Sequence, residues 1–207
     1  MTEDTGNRAH SVRQRLLNLA RQTAQDYNRL LVRYSLERLL YRLSRSDHAD
    51  RFILKGAMLF AVWSNQPYRA TQDLDLLGLG PNSPEELVGV FREIVLAAVP
   101  VADGMAYLAG SITARIIRKD MKYEGVRVRM ESRLGNARIP LNIDVGFGDA
   151  ITPAPLTADF PVLLDPPVPA IRMYPRETVI AEKLESTVSL GEDNSRMKDF
   201  ADLWFLA

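Results

Sequence analysis

Arg69-Ala70-Thr71-Gln72-Asp73-Leu74-Asp75-Leu76-Leu77 sets two aspartates two residues apart, with leucines between and after them. Strand side chains alternate between faces, so both carboxylates project one way and Leu74 and Leu76 the other, into a core. Gly78, Gly80, Pro81 and Pro84 end the run after a short strand. Adjacent carboxylates repel each other unless a cation neutralises them. Mg²⁺ takes carboxylate oxygens and keeps positions open for phosphate oxygens. A D-x-D strand is therefore a candidate platform for a metal and a nucleoside triphosphate, although the pair alone is a weak pattern.

Upstream, Phe52-Ile53-Leu54 is a short apolar run broken by Lys55-Gly56, and Ala57 to Trp63 reads as a buried helix. Downstream, Ser83-Pro84-Glu85-Glu86 is a helix start, with Ser83 as cap and Pro84 at the first position. That helix should run to about Ala98. Residues 106–145 are β-rich. Ser111 to Arg118 is one strand; Val126 to Glu131 and Leu141 to Val145 alternate apolar and polar residues, as half-buried strands do. Asp144 lies on the polar face of the last of these. If that strand pairs beside Asp73 and Asp75, a third carboxylate joins them, either as a metal ligand or as a general base.

Residues 1–10 read as a frayed polar tail and 11–45 as two helices, with Leu30, Leu31, Tyr34, Leu40 and Leu43 at helical spacing. Arginines fill the other positions: Arg13, Arg15, Arg21, Arg29, Arg33, Arg38, Arg42 and Arg45, against only Asp26 and Glu37. Such clustered guanidiniums offer a surface for RNA or an acidic partner; a solvated helix face is the plainer reading. A second basic stretch runs from Arg115 to Arg138. The proline-rich segment 151–169 reads as an extended connection. A helix opens at Tyr174-Pro175-Arg176-Glu177 and ends at Gly191; a last one starts near Asn194 or Ser195 and is expected to continue past Ala207.

With 207 residues, 46% of them hydrophobic, the chain can bury a real core, and its formal net charge is zero. The expected class is α+β: a mixed β-sheet core over 51–170, an N-terminal helical segment over 1–50 and C-terminal helices over 171–207. The absence of cysteine excludes disulfides, thiolate metal sites and a cysteine nucleophile. With only His10 and His48, a multi-histidine metal site is excluded as well. The polar N-terminus is no secretory signal, and no apolar run reaches membrane length, so the expected location is the cytoplasm.

Several segments together resemble a known family. Phe52-Ile53-Leu54-Lys55-Gly56-Ala57-Met58-Leu59 is followed by Arg69-x-Thr71-x-Asp73-Leu74-Asp75-Leu76, then Leu141-Asn142-Ile143-Asp144-Val145. Pro175-x-Glu177-x-x-x-Ala181-x-Lys183-Leu184 and Arg196-x-Lys198-Asp199-x-x-Asp202-Leu203 come next. In this order they are similar to the AbiEii/AbiGii nucleotidyltransferase toxins of bacterial toxin–antitoxin systems, a branch of the polymerase-β-like superfamily. The resemblance covers about residues 50–206.

It implies a Mg²⁺- or Mn²⁺-dependent transfer of a nucleoside monophosphate from a nucleoside triphosphate to an acceptor hydroxyl. The tRNA 3′ end is the favoured acceptor, a protein or small molecule the alternative, and a cognate antitoxin is implied as partner. Asp73, Asp75 and Asp144 would be the metal-binding and catalytic carboxylates. Lys183 would hold phosphates, and Asp199 would complete the site. Lys55, Gly56, Ala57, Arg69 and Thr71 would grip the nucleotide. Ala57 stands where relatives usually carry serine, so that grip would fall to backbone N–H groups, Lys55 or Thr71. Each residue also has a structural reading: Gly56 as a tight turn, Thr71 as a strand start, Lys183 as a surface lysine. The competing function is a catalytically degenerate nucleotidyltransferase fold that binds RNA or a protein.

Overall fold

The computed structural model describes residues 3–64, 71–120, 123–164, 167–190 and 197–206. Arg69 and Arg196 lie outside them. Two helices open the chain, α1 (Glu3–Thr23) and α2 (Tyr27–Arg45). Asp26 caps α2 by accepting from the Arg29 N–H at 2.9 Å. Strand β1 (Phe52–Lys55) runs into a 3-10 turn at Gly56–Leu59 and the short helix α3 (Phe60–Trp63). Strand β2 (Asp73–Gly78) precedes α4 (Pro84–Leu96), which Ser83 caps at the Glu86 N–H.

Strands β3 (Met105–Tyr107), β4 (Thr113–Asp120), β5 (Tyr123–Leu134) and β6 (Ala137–Phe147) follow. Then come β7 (Leu156–Asp159), β8 (Ala170–Met173), α5 (Arg176–Leu190) and α6 (Met197–Leu206).

The eight strands form one mixed sheet, in the order β3-β5-β6-β2-β1-β8-β7 with β4 also on β5. The class is α+β, as expected. The β5–β6 hairpin turns on Gly135 at φ +60°, the left-handed backbone a two-residue hairpin turn needs at its first position. Next to it, β6 and β2 run parallel, and β1 returns antiparallel to β2. Helices α2 and α4 cover one sheet face, where Leu74, Leu76, Leu141, Ile143 and Val145 are buried.

Three expectations change. Residues 3–10 belong to α1, and Ala9, Val12 and Leu16 are buried. This stripe is too short and too dilute in polar residues to show as a period; it is apolar because α2 and the Gly104 backbone close on it.

Second, two of the α2 arginines, Arg38 and Arg42, leave the outer face, where Arg29 and Arg45 remain exposed. Arg38 is fully buried, donates to the Pro167 carbonyl at 3.0 Å and lies over the rings of Tyr34 and Tyr41. Arg42 binds both oxygens of Asp103, at 2.6 and 3.1 Å, over the Tyr107 ring. Helix α2 is enclosed from Tyr34 to Leu43, so Arg42 finds a carboxylate inside, while Arg38 makes its one carbonyl bond and keeps Nε and an Nη unpaired among the described residues. Third, the proline-rich connection carries β7 and leads into β8, which enters the sheet beside β1. Four residues with two buried apolar side chains are too few to signal a strand in sequence.

Candidate active site

Asp73 and Asp75 stand half-exposed on the sheet face opposite the α2–α4 layer, while Leu74 and Leu76 are 1% exposed beneath. Strand register then builds a row. Lys55 on β1 faces Asp75 on β2, Asp75 faces Asp144 on β6, Asp144 faces Arg127 on β5, and Arg127 faces Arg115 on β4. One pleat away, a second row runs Asp73, Asn142, Arg129, Thr113. The pairing of β6 with β2 thus brings the third carboxylate to the first two.

Gly56 closes one side of Asp75. Its φ is +72°, and a Cβ built there would lie 2.3 Å from Asp75 Oδ2. Both the left-handed backbone and the close approach require glycine. Ala57 is buried in the 3-10 turn that follows. Thr71 Oγ1 donates to the Asp73 carbonyl at 3.0 Å and accepts from the Asp73 N–H at 3.4 Å, a local turn that starts the strand.

On the other side, Arg127 grips Asp144 with two bonds, Nε to Oδ1 at 2.7 Å and an Nη to Oδ2 at 2.8 Å. These bonds, then the charges of Asp144, Asp73 and Asp75, raise the Arg127 pKa further. Asn142 donates to Asp73 Oδ1 at 3.1 Å. Neither Arg127 nor Asn142 was foreseen as a site residue. The hairpin held the signal: Leu134 faces Ala137, and equal counting back along both arms sets Arg127 against Asp144.

Lys55 points into a cluster of its own. Its ammonium donates to the Asp149 carboxylate, to Glu182 Oε1 at 2.9 Å and to the Tyr174 hydroxyl at 3.4 Å. Burial alone would lower the Lys55 pKa, but Glu182 and Asp149 outweigh it and hold the group charged. Burial, reinforced by the same two carboxylates, pushes the Tyr174 phenol up. The cluster fastens α5 to β1 beside Asp75.

Lys183 sits one position further along α5. It donates to Asp199 Oδ1 at 2.8 Å and to Asp202 Oδ2 at 2.7 Å, so both its ion pairs tie α5 to α6. Asp199 is thereby placed with Lys183 and Asp202.

Asp73 and Asp75 have the chemistry for one hard divalent cation, because Mg²⁺ sites often use one or two carboxylates and leave the rest to phosphates. Among the described residues no three carboxylate or imidazole groups are gathered closely enough to hold a metal. The Arg127 clamp on Asp144 is the observed difference from a three-carboxylate site.

Solved structures share this fold. JHP933 from Helicobacter pylori matches with a TM-score of 0.51 and 17% identity, over 86% of this chain and 65% of its own. A candidate nucleotidyltransferase from H. pylori matches with a TM-score of 0.50 and 17% identity, over 85% and 67%. The chain thus spans about two thirds of the length of these structures. Among curated proteins none matches. The family model for the nucleotidyl transferase AbiEii toxin of type IV toxin–antitoxin systems matches residues 38–207, and the chain belongs to that family.

Proposed function

We propose that the chain transfers a nucleoside monophosphate from a nucleoside triphosphate to a hydroxyl at the 3′ end of tRNA, and that it is the toxin of a pair neutralised by a cognate antitoxin. The observation that carries this reading is Asp75, enclosed between the Gly56 turn and Asp144, with Asp73 beside it on the same face. The left-handed turn leaves backbone, with no side chain in between, against the carboxylate. A phosphate chain can approach there as closely as the peptide does.

In the reaction the acceptor oxygen forms a bond to the α-phosphorus. The bond from that phosphorus to the β-phosphate oxygen breaks, pyrophosphate leaves, and the hydroxyl proton passes to a base. Asp73 and Asp75 would hold a divalent cation, Mg²⁺ or Mn²⁺, which neutralises the triphosphate and stabilises charge developing on it. Asp144 is the nearest third carboxylate, as further ligand or as base, once Arg127 releases it. Arg127 would then turn its charge to the phosphates. Lys55, held by Asp149 and Glu182, positions β1 and its Gly56 turn rather than contacting phosphate.

The test is transfer of label from each α-labelled nucleoside triphosphate to total tRNA in Mg²⁺. Asp73→Asn is expected to abolish incorporation. Incorporation that survives this substitution rejects the assigned site. No incorporation from any of the four nucleotides, combined with RNA binding, favours the degenerate, binding-only reading.

A further inference from the structure

Beyond the carboxylates, the same sheet face continues onto β6, β5 and β4 and turns basic. A groove of about 520 Å³ opens there, lined among others by Ser111, Arg129, Glu131, Arg138 and Asn142. Its Asn142 end borders the candidate carboxylates: Arg129 is in register with Asn142, and the Asn142 amide holds Asp73. Neighbouring strands lie about 4.8 Å apart, so the Arg129 and Asp73 backbones are separated by about 10 Å.

The charge of this groove is not balanced from within. Glu131 accepts two bonds from Arg133 at 3.2 Å, so its carboxylate is already matched. Among the described residues no carboxylate forms an ion pair with Arg129, Arg138 or Arg115, and Arg129 and Arg138 are exposed. Arg33 and Arg42 of α2 show the contrast, since each has a carboxylate partner from its own fold. Guanidiniums left unmatched beside a phosphoryl-transfer centre suit a polyanion. The Gly56 turn lies on the β1 side of Asp75 and the groove on the β6 side of Asp73, so donor and acceptor would approach from opposite flanks.

We propose that this groove is the acceptor subsite, in which Arg129 and Arg138 hold backbone phosphates of a single-stranded nucleic-acid end whose terminal hydroxyl lies at Asp73. The proposal rests on the nucleotidyl-transfer reading for its orientation, and its binding test does not depend on turnover. The full chain is titrated with a short fluorescent single-stranded oligoribonucleotide and, separately, with a fluorescent nucleoside triphosphate plus Mg²⁺.

In the double variant Arg129→Gln/Arg138→Gln, oligonucleotide affinity should fall about 10-fold. The slope of log affinity against log salt should shrink by about 1.4, or about 0.7 for each phosphate contact to a single strand. Nucleotide affinity should stay unchanged. Arg129→Lys/Arg138→Lys should retain most of the oligonucleotide affinity, which guards against a misfolded glutamine variant.

Equal oligonucleotide binding by wild type and the glutamine variant overturns the proposal. So does a matching loss of nucleotide affinity, which would assign the arginines to the donor triphosphate. A wild-type chain that binds nucleotide and labels a protein, but binds no oligonucleotide, also overturns it while leaving the transferase reading intact. Arginine-dependent oligonucleotide binding by a chain that binds no nucleotide sinks the transferase reading and keeps the groove.

Discussion

Gly56 and Arg127 are the two residues on which the carboxylate site turns. Gly56→Ala puts a methyl carbon 2.3 Å from Asp75 Oδ2 and forces a φ of +72° on an L side chain. The backbone term alone costs about 1–2 kcal/mol, and under the proposed function displacing the Asp75 carboxylate by an ångström should slow transfer about 100-fold. A urea melt together with the tRNA-labelling rate checks both; an alanine variant with wild-type transfer would separate the turn from the chemistry. Arg127→Gln removes the two-bond clamp on Asp144, at a cost of about 2 kcal/mol for charged hydrogen bonds. Under the proposed function, added Mn²⁺ should restore more thermal stability to this variant than to the wild type, because the metal would then meet three carboxylates without a resident cation. Equal Mn²⁺ shifts in both proteins would show that Arg127 does not compete for Asp144.

At the level of elements, α2 carries a buried titratable carboxyl and the α5–α6 pair a buried ion pair. Glu37 on α2 is fully buried, accepting from Arg33 at 3.0 Å and from the Leu163 N–H at 3.0 Å. Burial outweighs these two and raises its pKa from 4.5 to about 7. Because the folded value lies above the unfolded one, folding favours the protonated carboxyl. Its stabilising contribution is complete below about pH 4.5, declines as the unfolded chain gives up its proton, and is gone above about pH 7. The loss is on the order of 3 kcal/mol, at 1.36 kcal/mol per unit. Urea midpoints across this range should show the decline in wild type and a shallower one in Glu37→Gln; parallel curves would contradict it. On α5, Lys183→Met leaves Asp202, fully buried, without its lysine. A drop of about 3 kcal/mol in stability is expected, read as a lower melting temperature with nucleotide affinity little changed. Weaker nucleotide binding at an unaltered melting temperature would instead put the lysine on the phosphates.

Across the whole molecule, α1 lies outside the family-matched residues 38–207 yet is built into the core. Leu16 is fully buried, and Leu16→Ala should cost about 2–5 kcal/mol within a single cooperative transition. An unchanged melt would show α1 to be an independent appendage. Much of the central architecture was legible in the chain. Alternation around Asp73–Leu77, Val126–Glu131 and Leu141–Val145 identified strands and their polar faces, and Ser83-Pro84 announced a helix, because these signals are local and repeat within a few residues. Local pattern could not reveal which strands become neighbours. The parallel pairing of β2 with β6 decided that Asp144 meets Asp75, and the enclosure of α2 decided that Arg38 and Arg42 face inward. The insertion of β8 beside β1 was likewise hidden in a stretch with too few apolar residues to show a period. Sequence by itself determined the residue types and the face each strand offers, since backbone geometry fixes that periodicity. The partner of each charge was decided only by the tertiary structure, because burial and register depend on contacts between residues far apart in the chain.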